Sequence, residues 1–219
     1  MGKLQIIVPS RGRPGNAIRL LDQIKGTIPA DADLSVMFAL DKDDELAEGY
    51  PDGHTVLVEG GTMVKALNEA ALLSAPYYDF IGFLGDDTLP KGNWYNEVVA
   101  ALESKKNSVV YANDGIYGEQ LPTGVFLDMD IVRTLGFMAP PEQKHLFVDN
   151  FWKALGEALG SLVYLENTVI EHLHPLGGTI PMDDVYNAAY TQERWDHDQQ
   201  AFVTYTQTQF VPDVQKLLA

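Results

Sequence analysis

Short apolar runs that end in polar turns recur along the first half of the chain, separated by stretches with apolar positions at helical spacing. Leu4 to Val8 reads as a short buried strand, and Pro9-Ser10-Arg11-Gly12-Arg13-Pro14-Gly15 as the loop before a helix whose Ile18, Leu21 and Ile24 fall on one face. Asn16 is placed to cap that helix and Gly26 to stop it. Leu34 to Leu40 and Thr55 to Val58 read as further strands, the first followed by Asp41-Lys42-Asp43-Asp44-Glu45 and the second by Glu59-Gly60-Gly61. A helix from Met63 to Leu73 presents Val64, Leu67 and Ala71 together, and Pro76 closes it. The run from Asp79 to Leu84 is too apolar to face water, so it belongs at a sheet centre, and it ends in Gly85-Asp86-Asp87.

The second half repeats the alternation less regularly. Trp94 to Leu102 reads as a helix and Ser108 to Ala112 as a strand; Asp128 caps a helix that runs through Leu135 to Gly136. A helix from Asn150 to Leu159 precedes a strand at Ser161 to Leu165, and Thr168 to His174 reads as extended because Pro175 disfavours a helical His174. Trp195, Phe202 and Tyr205 form one aromatic helical stripe in the tail, which predicts that the tail packs back on the domain. Strands alternating with helices, each strand followed by a polar loop, predict a largely parallel sheet in an α/β sandwich. The expected organisation is one domain over residues 1–180 with a C-terminal helical extension over 181–219.

Composition changes this picture in two places. The 219 residues carry 15 basic and 31 acidic side chains, a net charge of −16, which argues against a protein that holds duplex DNA through many phosphate contacts. Lys3, Arg11, Arg13, Arg19 and Lys25 nevertheless make the first stretch locally basic, which suits a small anionic ligand. The absence of cysteine removes disulfides, thiolate metal sites and cysteine nucleophiles. No apolar stretch approaches the ~20 residues of a membrane span, and the N-terminal run is too short for a signal peptide, so a cytoplasmic protein is expected.

Five stretches hold candidate chemistry. A serine hydroxyl and two guanidiniums between a strand end and a helix N-terminus, at Ser10, Arg11 and Arg13, suit phosphate oxygens; the loop is neither a dinucleotide fingerprint nor a P-loop. Asp41 sits at a strand end where an acid accepts hydrogen bonds from a base or ribose, although a solvated acidic turn reads the same way. Asp86 and Asp87 repel each other, which a divalent cation relieves, although a polar turn in which Asp87 caps the next segment reads the same way. His172 and His174 share a face if their segment is extended, and with the carboxylates they suit Mn²⁺ or Mg²⁺. Asp149, among aromatics at a helix start, is an N-cap, or a carboxylate made basic by apolar surroundings and suited to take a proton from a hydroxyl.

In order and spacing these residues resemble the GT-A fold glycosyltransferases, over roughly Lys3 to Pro175. The resemblance implies a three-layer α/β/α sandwich around a mostly parallel, Rossmann-like sheet, and transfer of a sugar from a nucleotide-diphosphate sugar to an acceptor hydroxyl, with inversion favoured by the presence of a base candidate and retention as the alternative. By that resemblance Pro9, Ser10, Arg11, Arg13, Asp41, Lys65, Asn68 and Asp86 contact the nucleotide sugar. Asp87, with His172 or His174, holds Mn²⁺ or Mg²⁺, and Asp149 is the catalytic base. Gly-Asp-Asp stands where the family has Asp-X-Asp, and Val-Asp where it has Glu-Asp. The continuation through Pro175-Leu176-Gly177-Gly178, Asp183-Asp184 and Tyr186 is similar to small stand-alone enzymes of phage type, which would place the protein in the host cytoplasm. A UDP-sugar is the favoured donor; a hydroxylated DNA base, a protein, a glycan and a small molecule stand as acceptors. The alternatives are a nucleotidyltransferase that forms nucleotide sugars and a non-catalytic binding protein that keeps the fold.

Overall fold

A computed structural model describes residues 2–178 and 184–219. Asp183 of the acidic pair and the expected boundary at residues 180 and 181 lie outside the described residues. In chain order the first half forms β1 (Leu4–Ser10), α1 (Pro14–Thr27), β2 (Leu34–Asp41), β3 (Thr55–Val58), α2 (Met63–Ser74), β4 (Phe80–Phe83) and β5 (Thr88–Pro90). The second half forms α3 (Trp94–Glu103), β6 (Val109–Asn113), β7 (Val125–Asp128), α4 (Met129–Leu135), α5 (Val148–Leu159) and β8 (Leu162–His172). Then come α6 (Asp184–Ala189), α7 (Gln192–Thr208) and α8 (Phe210–Leu218).

The strands make one sheet in the order β3-β2-β1-β4-β7-β6-β8-β5. β1, β2, β3 and β4 are mutually parallel where they pair, and β6 is parallel to β8; β7 runs against both β4 and β6, and β5 against β8. Two apolar clusters cover the two faces, which gives three layers. Leu20, Leu21 and Ile24 of α1 pack with Trp94, Val98 and Val99 of α3 on one face. On the other, Val64 and Leu67 of α2 meet Val132 of α4, Trp152 and Leu155 of α5 and Leu217 of α8. The tail therefore contributes a buried leucine to the central core, with Phe202, Tyr205 and Phe210 packed against the same cluster. Among the described residues no helix is long and apolar enough to cross a membrane.

Several local expectations are corrected. Asn16 does not cap α1: Arg13 occupies the N-cap position with Pro14 at the first helical turn, where a missing N–H costs nothing. Gly26 does not stop it, since the helix continues through Thr27. The two extended stretches near the C-terminal end are one strand, β8, whose register against β6 shifts between Ala112 and Asn113, opposite the polar interruption at Glu166 to Asn167. The strand β7 was not anticipated. It carries fully buried Phe126, and a Cβ on Gly82 of the adjoining β4 would stand 2.6 Å from that ring, so glycine there lets the two strands close.

Candidate active site

The carboxyl ends of β1, β2 and β4 open on one side of the sheet, and β8 brings its own end to the same place. β5 follows Asp87 directly and pairs antiparallel to β8 with Thr88 opposite His172. That pairing carries the Asp-Asp turn to the histidine. A Cβ on Gly85 would stand 2.3 Å from Asp87 Oδ1, so only glycine leaves room for the turn. The result is a cleft of about 720 Å³.

Asp86 and Asp87 are each 6% exposed, and their surroundings separate them. Asp86 faces the loop after β1. Its Oδ2 accepts the Ser10 hydroxyl, its Oδ1 accepts Asn16 Nδ2 at 3.2 Å, and the Arg13 guanidinium lies 3.5 Å away. Burial and the neighbouring Asp87 charge raise its pKa. Asn16, expected as a cap, thus serves Asp86 from inside the helix. Asp87 faces the histidine: His172 Nε2 stands 3.4 Å from Oδ1, and the Tyr186 hydroxyl donates to Oδ2. Burial alone would raise Asp87, but His172 and the Tyr186 hydroxyl outweigh it and hold the carboxyl below its ordinary value. The Tyr186 ring also lies beneath the Arg13 guanidinium, at 4.4 Å.

The donor set of this pair fits a divalent cation. His172 Nδ1 is buried with no hydrogen-bond partner, and Nε2 of the same ring faces the buried Asp87 carboxylate at 3.4 Å. Among the described residues no group of three or more His, Asp or Glu side chains that could hold a metal comes together, so the remaining positions would fall to ligand oxygens and water. His174 lies edge-on to His172, ring centres 5.0 Å apart, with Nε2 3.2 Å from the Tyr190 hydroxyl.

Asp149 lies in the first turn of α5. It is not the cap; Phe147 is, in a left-handed conformation at φ 65° and without a side-chain cap bond. Half-buried and lining the cleft, Asp149 is engaged by no other side chain among the described residues; its own backbone N–H is the group that bonds the carboxylate. Burial raises its pKa to about 6. His145, which also lines the cleft, is lowered to about 4 by burial and by the Arg194 charge, so it is neutral at physiological pH.

Of the residues expected from the sequence, all but Lys65 and Asn68 line this cleft. Arg11 pairs with Asp41 at 2.7 Å and Asp43 at 2.6 Å, and Gly61 N–H donates to Asp41 Oδ1 at 2.9 Å. Lys65 is exposed on α2 outside the cleft. Asn68 is turned the other way: it donates to Ala139 O at 2.8 Å and accepts from Met138 N and Ala139 N at 2.9 and 3.0 Å, so it fixes the segment before α5 rather than a ligand. Sequence reasoning missed Tyr117, Tyr190, Arg194 and Trp195, which also line the cleft. The last three come from the tail, where the aromatic stripe signalled packing without indicating against what.

No protein-family model matches the sequence, and no curated protein does. Solved structures do match. S. aureus TarS 1–349 in complex with UDP-GlcNAc is 13% identical at a TM-score of 0.62, over 98% of this chain and 70% of that one. The mannosyltransferase PcManGT from Pyrobaculum calidifontis, in complex with GDP-Man and Mn²⁺, is 14% identical at 0.60, over 99% and 73%. Glucosyl-3-phosphoglycerate synthase from Mycobacterium tuberculosis, in complex with Mn²⁺, UDP and phosphoglyceric acid, is 10% identical at 0.59, over 93% and 78%. In another alignment this chain spans 59% of TarS 1–349, and it spans 38% of a longer TarS chain. The likeness shows the fold: the chain has the GT-A architecture of these glycosyltransferases.

Proposed function

We propose that the protein is a metal-dependent glycosyltransferase that moves a sugar from a nucleoside-diphosphate sugar to an acceptor hydroxyl, with inversion at the anomeric carbon. The observation that carries the reading is the pairing of two unlike sites in one cleft. The buried Asp87–His172 pair has unused donor capacity, and Asp149 is a carboxylate of raised pKa that no protein side chain engages. The fold neighbours in complex with UDP-GlcNAc and with GDP-Man and Mn²⁺ support it.

Asp87 and His172 would hold Mn²⁺ or Mg²⁺. Bound there, the cation supplies neutralisation of the charge that develops on the departing diphosphate. Arg13, fixed between Asp86 and the Tyr186 ring, adds positive charge on the same side, and Arg11 extends it toward Asp41. Ser10, held by Asp86 and by the Tyr50 hydroxyl at 2.9 Å, fixes the loop that faces the nucleotide. Asp149 takes the proton of the acceptor hydroxyl as that oxygen attacks the anomeric carbon. The bond from that carbon to the diphosphate oxygen breaks on the opposite side, and the nucleoside diphosphate leaves with the electron pair.

Product mass spectrometry tests the reaction. The protein is incubated with Mn²⁺, a panel of UDP-, GDP- and CDP-sugars, and hydroxylated acceptors. An acceptor that gains one sugar mass as nucleoside diphosphate is released is the expected result, with Asp149→Asn losing the transfer while still binding the nucleotide. Transfer undiminished in Asp149→Asn would remove that residue from the mechanism.

A further inference from the structure

The arginines that line the cleft are not equivalent. Arg11 is taken by Asp41 and Asp43, and Arg13 lies against Asp86, both on the loop after β1. Arg194 comes from the first turns of α7; it is half-buried, lines the same cleft, and makes no ion pair among the described residues. In a chain with 31 acidic residues, a shortage of carboxylates does not explain this.

The local geometry does. Asp198 stands four residues on, the position from which a carboxylate pairs with an arginine across one helical turn. It is fully buried instead and turned away: its oxygens accept the backbone N–H groups of Lys144, His145 and Leu146 at 2.8 to 2.9 Å. Asp198 therefore leaves Arg194 unneutralised and also fastens α7 to the segment that leads into Asp149. Trp195 repeats the fastening, packing edge-on against Phe147 with ring centres 4.9 Å apart, and Phe147 is the residue from which α5 and Asp149 start. Arg194 thus sits on a helix fastened to the segment that leads into α5, and its charge acts on His145 of that segment.

We infer that the acceptor is an anion whose reacting hydroxyl faces Asp149 while a phosphate or carboxylate on the same molecule is held by Arg194. The inference rests on the glycosyltransferase reading. A guanidinium fork matches either oxyanion in a bidentate way that an ammonium does not. Exposed Asn150 and the Tyr117 and Tyr190 side chains line the cleft nearby and supply polar and flat contacts for the rest of such a molecule.

Calorimetric titration of the protein loaded with Mn²⁺ and its nucleoside diphosphate tests this. The probes are glycerol 3-phosphate and glucose 6-phosphate for phosphate, glycerate and glucuronate for carboxylate, and glycerol and glucose as neutral counterparts. At least one anion is expected to bind where its neutral counterpart does not, and the arm that responds identifies the oxyanion. Arg194→Gln, which breaks no ion pair or side-chain hydrogen bond among the described residues, should keep the parent's melting temperature and nucleotide affinity and weaken that anion at least tenfold, with Arg194→Lys recovering part of the loss. Equal anion binding by parent and Arg194→Gln, or failure of every anion to bind the loaded parent, overturns the inference. So does a loss of nucleotide rather than anion affinity, which would assign Arg194 to the donor. If no nucleoside diphosphate loads at all, the glycosyltransferase reading itself fails, and that result is visible before any acceptor probe is added.

Discussion

Asp86 and Asp87 are adjacent and equally buried, and the groups that reach them make them different: a serine, an asparagine and an arginine for one, a histidine and a tyrosine for the other. The sequence shows the doublet and its place at a strand end, but Tyr186 is 99 residues from Asp87, and nothing local marks it as a partner. Asn68 is the converse case. A polar residue on a helix near the cleft looks the same in sequence whether it faces a ligand or the backbone of residues 138 and 139. Asn68→Ala should cost about 2 kcal/mol, because two N–H groups and a carbonyl lose their partner, while nucleotide affinity stays at the parent's value; chemical denaturation and calorimetry measure the two. For Asp149 the direction of the pH effect follows from its raised pKa. Transfer should rise with pH through about 6 as the carboxylate loses its proton, and Asp149→Asn should reduce kcat by roughly 10²–10⁴-fold. Stability runs the other way. The folded-state value of about 6 exceeds the reference 3.8, so between these values the folded protein binds more protons than the unfolded chain, and stability falls as pH rises across that window before levelling off. Melting temperatures should therefore show Asp149→Asn more stable than the parent above pH 6.

At the scale of elements, the long amphipathic helices and the strands β1 to β4 were legible from their apolar periods and the polar turns between them, although the ends of α1 were misplaced. Asp128 and Gly136 bound α4 as their residue types suggest, the first accepting Asp130 N–H and the second at φ 80°. β7 was not legible: its apolar residues Val125 to Leu127 run straight into Asp128, the cap of α4, with no polar loop between them, and its place in the sheet depends on β4 and β6. The tail was read as packing onto the domain, without the fully buried carboxylate, Asp198, that helps to hold it against the cleft wall. Asp198→Ala leaves three backbone N–H groups without an acceptor, a loss of about 3 kcal/mol or more. Hydrogen exchange should accelerate at Lys144, His145 and Leu146, with β1 and β2 remaining protected. Unchanged exchange at those three amides would mean that α7 is held by its aromatic contacts alone.

For the molecule as a whole, the layers and the cleft follow from topology: parallel strands bring distant loops to one side of the sheet, and the antiparallel β5–β8 pair adds a histidine to them. That is why the order of polar strand ends along the chain was informative while the residues facing them from the tail were not. The fold persists at 10% to 14% identity to its neighbours because alternation, apolar faces and a few glycines specify it. The central claim, that the strand ends form a metal–diphosphate site, is tested most directly by titrating UDP, GDP and CDP into the protein and into Asp87→Ala, each with and without Mn²⁺. One of the three is expected to bind the parent with Mn²⁺ and at least tenfold more weakly without it, and the variant should gain nothing from the cation. Binding indifferent to Mn²⁺, equal binding by Asp87→Ala, or no binding to the parent at all would contradict that claim.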